Sequence, residues 1–197
     1  MSKLKSLIAI ALSILLSFSL VMPSMAARVY NADTNTWEEA AVVSQRSRGH
    51  SLIPREEVAY AGDYAPGSII VETSERRLYY VLGNGRAMKY GIGVGRDGFT
   101  WSGTHRVSRK AEWPGWTPPA QMRKRVPDLP AYMPGGPDNP LGARAMYIGS
   151  TLYRLHGTSE PWSIGQAVSS GCIRLTNEDV IDLYDRVKVG ALVVVHH

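Results

Sequence analysis

Cysteine is all but missing from this chain, with Cys172 the single thiol among 197 residues. An internal disulfide is therefore excluded, and any task of that sulfur beyond packing is the chemistry of a thiolate. Groups of Cys, His, Asp and Glu at metal-ligand spacing are also lacking, which excludes the usual zinc sites. A dinucleotide loop is missing too. Gly91, Gly93 and Gly95 do not follow G-x-G-x-x-G, and Asp97-Gly98-Phe99-Thr100-Trp101 comes next instead of an amphipathic helix. Charge of one sign is scarce at a formal net of +5, and Arg123-Lys124-Arg125, with no binding motif around it, reads as a solvated face. Neither a nucleic-acid partner nor a metal or other cofactor is expected. Apolar runs are short: Leu7 to Val21, broken by serines, is below the ~18 residues of a membrane span.

That run has a different meaning. Lys3 and Lys5 precede it and Pro23-Ser24-Met25-Ala26 follows, so residues 1–26 read as a signal peptide cleaved after Ala26. The mature chain is expected to be exported, where an unpaired cysteine reads as reactive or intermolecular. Without Lys3 and Lys5 it keeps 20 basic against 17 acidic residues, a surplus that suits an acidic polymer and equally ordinary solubility. Residues 27–65 are polar with few periodic apolar positions and read as a flexible arm. Residues 66–197 then have the size of one domain.

Within that domain the expected elements are mostly strands. Ser68 to Glu72, Arg77 to Leu82 and Lys89 to Val94 form a meander with turns at Thr73-Ser74-Glu75 and Gly83-Asn84-Gly85. Further strands are expected at 103–110, 145–148, 151–155 and 191–195. With no long helix between them, the fold class is mainly β and mostly antiparallel. Residues 113–137 are a long loop rich in tryptophan and proline, with a short helix over 119–126. Such an insertion is either a packed surface loop or a lid over a groove, and Trp113 and Trp116 either stack on sugars or cover the core. Thr176-Asn177-Glu178-Asp179 caps a second helix running to Val187, with Val180, Ile181, Tyr184 and Val187 as its buried stripe.

The residues that carry chemistry lie in 156–175, HGTSEPWSIGQAVSSGCIRL. Ser169, Ser170 and Gly171 before Cys172 permit a tight turn whose amides approach a bound carbonyl. Arg174, two residues on, shares a side with Cys172 if the segment is extended, and its cation favours a thiolate or holds a substrate carboxylate. The helix that follows points its positive end toward the sulfur. His156, sixteen residues before the cysteine at the end of a strand, is a candidate base and by itself equally a surface residue. His50, His105, His196 and His197 lack such a context.

At these residues the sequence resembles the L,D-transpeptidases of the YkuD (ErfK/YbiS) type. Their signature is an HG pair followed at a distance by S-x-G-C-[IV]-R, matched here by His156-Gly157 and by Ser169 to Arg174. Position 170 departs, being Ser170 where many members have histidine. Trp101 replaces the proline of the family's T-P-x-G turn, and Asn139-Pro140-Leu141-Gly142 is similar to its lead into the next strand. The resemblance implies a YkuD-like β-sandwich with a helix after the cysteine. It implies Cys172 as nucleophile, His156 as base oriented by a backbone carbonyl near Ser170, amides of Gly171 and Cys172 at the oxyanion, and Arg174 on a substrate carboxylate. It also implies a periplasmic enzyme that releases the terminal D-alanine of a peptidoglycan stem tetrapeptide. The acyl group passes to an amine of another stem or of an outer-membrane protein or lipoprotein, and carbapenems are its inhibitors. A carboxypeptidase of the same fold and a non-catalytic wall-binding protein remain the alternatives.

Overall fold

Alternating valines in the last strand set the architecture, with Val193 and Val195 entering the main core and Val194 a smaller one on the opposite face. The computed structural model describes residues 28–31, 36–39, 51 and 53–197. The expected leader, residues 1–26, lies outside the described residues. A two-stranded hairpin, β1 (Arg28–Asn31) with β2 (Thr36–Glu39), comes first. The chain then supplies β3 (Glu56–Ala59), β4 (Ile69–Glu72), β5 (Arg77–Gly83), β6 (Arg86–Gly91), β7 (Val94–Gly95) and β8 (Gly103–Glu112). After helix α1 (Ala120–Arg125) come β9 (Arg144–Ile148), β10 (Arg154–His156), β11 (Ala167–Ser169), β12 (Ile173–Arg174), helix α2 (Asn177–Arg186) and β13 (Leu192–His196).

Nine of these strands form one sheet in the order β12-β10-β9-β8-β13-β4-β5-β6-β3, while β11 and β7 pair separately. The meander β4-β5-β6 is as expected, although its third strand runs over 86–91, earlier than the Lys89 to Val94 read from the sequence. Most neighbours are antiparallel, but β13 with β4, β10 with β12 and β11 with β7 are parallel. Leu155 and Ile173 from one end of the sheet and Leu78 and Tyr90 from the other meet in a single core, so the sheet curls on itself as a sandwich.

Three readings shift. Residues 56–59 join the sheet as the edge strand β3, so ordered structure begins before Gly67. Four residues without apolar alternation gave no strand pattern, and ion pairs of Glu57 with Arg86 and Glu56 with Lys89 hold them on β6 instead. In α2 the buried apolar positions are Val180 and Leu183, with Val187 just after the helix and Tyr184 packed alongside. These follow i, i+3, i+4, i+7, whereas Ile181 is turned about 100° from Val180 and is only half-buried. The strand expected at 151–155 is confined to 154–156, because Gly149 (φ +53°) and Thr151 make a turn ahead of it.

The long loop resolves both ways. Trp116, Met122, Leu129 and Leu141 build a small core of their own, and the backbones of Trp116 and Met133 exchange two hydrogen bonds of 2.8 Å. Buried Asn139 closes the loop: its amide donates to the carbonyls of Met133 and Pro134, and its Oδ1 accepts from Leu141 N–H. Trp113 stays 45 % exposed, so it does not cover the core. The loop is thus a packed flap, and its inner side forms one wall of the cleft described next.

Candidate active site

Parallel pairing of β10 with β12 decides which side chains meet. Leu155 lies beside Ile173 and His156 beside Arg174. Leu155 and Ile173 are core residues, so alternation places His156, Arg174 and, two positions earlier, Cys172 on the opposite face. The same register continued by one residue sets Cys172 beside Arg154. Strand spacing and rise put the Cα atoms of His156 and Cys172 about 8 Å apart. Both line a cavity of about 390 Å³ whose roof comes from the flap, including Trp116, Met122 and Leu141.

The turn before Cys172 is fixed atom by atom. Ser169, 1 % exposed, donates from Oγ to the Cys172 carbonyl (2.6 Å) and accepts from Gly171 N–H (3.1 Å). Gly171 has φ +103°, and a Cβ there would lie 2.6 Å from the Tyr153 ring, so both backbone and space require glycine. Because its N–H already serves Ser169, Gly171 is not the free amide expected for an oxyanion. The N–H of Cys172 makes no hydrogen bond within the described residues. Gly157 is required by close approach, since a Cβ there would sit 2.3 Å from Asn177 Oδ1 at the start of α2. That helix is capped as its sequence predicts, with Thr176 Oγ1 accepting from Asp179 N–H at 3.1 Å.

His156 is 4 % exposed. Its Nδ1 lies 2.5 Å from the carbonyl of Gly157, its neighbour in the chain, and not against a carbonyl near Ser170. A carbonyl only accepts, so the proton sits on Nδ1 and Nε2 keeps its lone pair. Burial first, and the Arg174 cation second, push the imidazole down to about 3, against a rise from the Gly157 carbonyl. The resting imidazole is therefore neutral. Cys172 is half-buried, with Sγ 3.9 Å from the carbonyl of Leu152.

Arg174 is placed differently from a free carboxylate-binding group. It is 4 % exposed and donates from Nη1 to Glu160 Oε2 at 3.2 Å, and Glu160 is itself 3 % exposed. Its backbone exchanges two 2.9 Å bonds with Gly93, which ties β12 to the segment between β6 and β7. Sequence reasoning passed over Glu160, because a lone glutamate between the two halves of the motif has no local signature.

Trp101 was also missed. It stands where the resembling family has proline, and its indole Nε1 donates to the Gly171 carbonyl at 2.7 Å while its ring stacks on Tyr153 with centroids 4.3 Å apart. One residue thus braces the turn before Cys172 from outside. Trp101→Phe keeps the stacking surface and removes the donor, and is expected to lower kcat/KM about tenfold, the scale of one hydrogen bond of ~1.4 kcal/mol. Parallel thermal melts check it: a Tm that falls while kcat/KM stays at the wild-type value would show that the bond supports only the fold.

A thiol and a buried neutral imidazole on paired strands, roofed by a flap, define a class of β proteins with a cysteine–histidine cleft. Within that class the chain belongs to the YkuD family, L,D-transpeptidase catalytic domain, whose family model matches residues 66–195. The "Probable L,D-transpeptidase ErfK/SrfK" of Escherichia coli (strain K12) is 45% identical over 134 residues, which cover 64% of this chain and 42% of that protein. The chain thus spans less than half the length of that curated relative. A crystal structure from Brucella melitensis, described as a "Probable carnitine operon oxidoreductase caia", is 41% identical with TM-score 0.52, covering 75% of this chain and 96% of that one. The catalytic domain of the Enterococcus faecium L,D-transpeptidase acylated by ertapenem, solved by NMR, shares the fold at TM-score 0.52 and 19% identity, covering 68% of this chain and all of that one.

Proposed function

We propose that this protein is a peptidoglycan L,D-transpeptidase working through Cys172. The observation that carries the reading is the placement of Cys172 and His156 on one face of two paired strands, inside one cleft, with Nε2 of the imidazole left as an acceptor. Sγ attacks the carbonyl carbon before the terminal D-alanine while its proton passes to His156 Nε2. The imidazole is neutral at rest, so proton transfer accompanies the forming C–S bond. Cys172 N–H holds the oxyanion, His156 returns the proton to the departing D-alanine amine, and a thioester remains. An amine from a second stem peptide, or from an outer-membrane protein or lipoprotein, then takes the acyl group. Export to the periplasm is supported by the leader features of residues 1–26. Acylation by carbapenems is supported by family membership and by the fold shared with a domain acylated by ertapenem.

Mass spectrometry of purified protein incubated with tetrapeptide muropeptides tests this. Loss of D-alanine together with new crosslinked dimers is the expected result. Tripeptide alone would make the protein a carboxypeptidase, and intact tetrapeptide with a thiol inert to alkylation at neutral pH would leave a non-catalytic wall-binding protein.

A further inference from the structure

Arg154 Nε and Ser170 Oγ, buried polar atoms of the cleft, have no hydrogen-bond partner among the described residues. Buried donors are almost always paired, and one left unmade costs about 1–3 kcal/mol, more when charged. Both residues line the cavity that holds Cys172. Arg154 is the residue beside Cys172 in the continued strand register, and its Nη1 donates at 3.2 Å to the Leu152 carbonyl, the same oxygen that Sγ approaches at 3.9 Å. The Tyr147 ring, 5.3 Å from the guanidinium carbon, backs the group from its own face of the sheet. Across the cleft, exposed Arg125 in the last turn of α1 also lines the cavity. None of the residues lining the cavity is Asp or Glu, and among the described residues no carboxylate pairs with Arg125 or Arg154. Arg174, by contrast, is met by Glu160.

Cations, an unpaired hydroxyl and no acid in one cleft call for an anion with several acceptor oxygens. We propose that Arg154 and Ser170, with Arg125 on the flap, form a carboxylate subsite beside the thiol, so that the cleft admits its donor peptide in anionic form. This rests on the acyl-transfer reading. A planar guanidinium binds a carboxylate through two parallel bonds, and the Ser170 hydroxyl adds a third donor. Two carboxylates of a stem tetrapeptide lie near the scissile bond: that of the terminal D-alanine, and the one borne by the side chain when the third residue is a diamino dicarboxylic acid.

The test uses three synthetic tetrapeptides, one with both carboxylates free and two with one or the other amidated. Wild-type kcat/KM is expected to be about 100-fold lower for one of the amides, because a site built for charged hydrogen bonding rejects the analogue that lacks the partner. In Arg154→Gln that ratio falls to within about threefold, while Arg123→Gln, on the same helix as Arg125 but outside the cavity, keeps it. The amide that shows the penalty identifies the carboxylate held. Equal wild-type rates on all three peptides, or an unchanged ratio in Arg154→Gln, overturn the subsite. Calorimetric binding of the same peptides to Cys172→Ala reads the subsite without chemistry. Preference for the anionic peptide there, with no product from wild type, would overturn acyl transfer and keep the subsite, whereas equal affinities would overturn the subsite alone.

Discussion

Glu160→Gln is expected to lower the free energy of unfolding by about 3–5 kcal/mol. The change removes one charge of a pair whose members are 3 % and 4 % exposed. It takes the Glu160 carboxylate from a guanidinium in a space water does not reach, and the loss of that charge partner accounts for most of the effect. The same buried segment is tied down at other points: Glu160 N–H donates to Thr158 Oγ1, and its carbonyl accepts from the N–H and the Oγ of Ser163. Loss of the pair should therefore loosen the whole gap between the two halves of the motif. A shift of the urea midpoint with unchanged slope measures it. Glu160→Leu combined with Arg174→Met, which removes both charges at similar volume, should recover most of the stability. A change below about 1 kcal/mol in Glu160→Gln would show that the pair is solvated.

The second large effect concerns His156. By the acyl transfer proposed for Cys172, His156→Gln is expected to reduce acyl-enzyme formation by about 10³–10⁶-fold, since the thiol would lose the group proposed to take its proton. Trapping of the thioester by mass spectrometry at fixed times measures the rate. The same variant carries a pH signature. The imidazole is pushed down to about 3 in the folded protein, from an ordinary value of about 6.5 in the unfolded chain. Between those values the unfolded chain binds the extra proton, so wild-type stability falls as pH drops through the window and is fully present only above it. At pH 4 the loss is about 3 kcal/mol by this linkage. His156→Gln should flatten that part of the stability profile. Equal slopes in both proteins would mean that another group carries the acid sensitivity.

How much of this could be read beforehand depended on the range of each interaction. Cys172, His156 and the capped helix were legible because their signals are local: a tight serine-glycine turn, a fixed gap, Thr176 three residues before the amide it caps. The meander was legible for the same reason, since turns and alternation lie within a few residues of each other. Partners made by the parallel pairing of β10 and β12 were not. Glu160 meets Arg174 across fourteen residues, and Arg154 comes to stand beside Cys172 only once that register is set. Trp101 reads as a plain substitution for proline until the fold brings it to a carbonyl seventy residues away. The edge strand 56–59 gave no alternation to find, because it is held by charges on its exposed side chains and by backbone bonds to β6.

β13 is last of the strands in sequence yet lies in the middle of the sheet, between β8 and β4. A polypeptide emerging from a ribosome or a translocation pore would hold two half-sheets with open edges at β8 and β4, tied only by the Gly93–Arg174 bonds and the β7–β11 pair until residues 192–196 arrived. Its partner Ile69 pairs with Val193, so the joining contact closes a loop of almost the whole domain. Folding is then a late and concerted event, during which two exposed β edges are free to pair with other chains. Chaperone capture during synthesis should thus end abruptly with the arrival of this strand and not decline gradually along the chain.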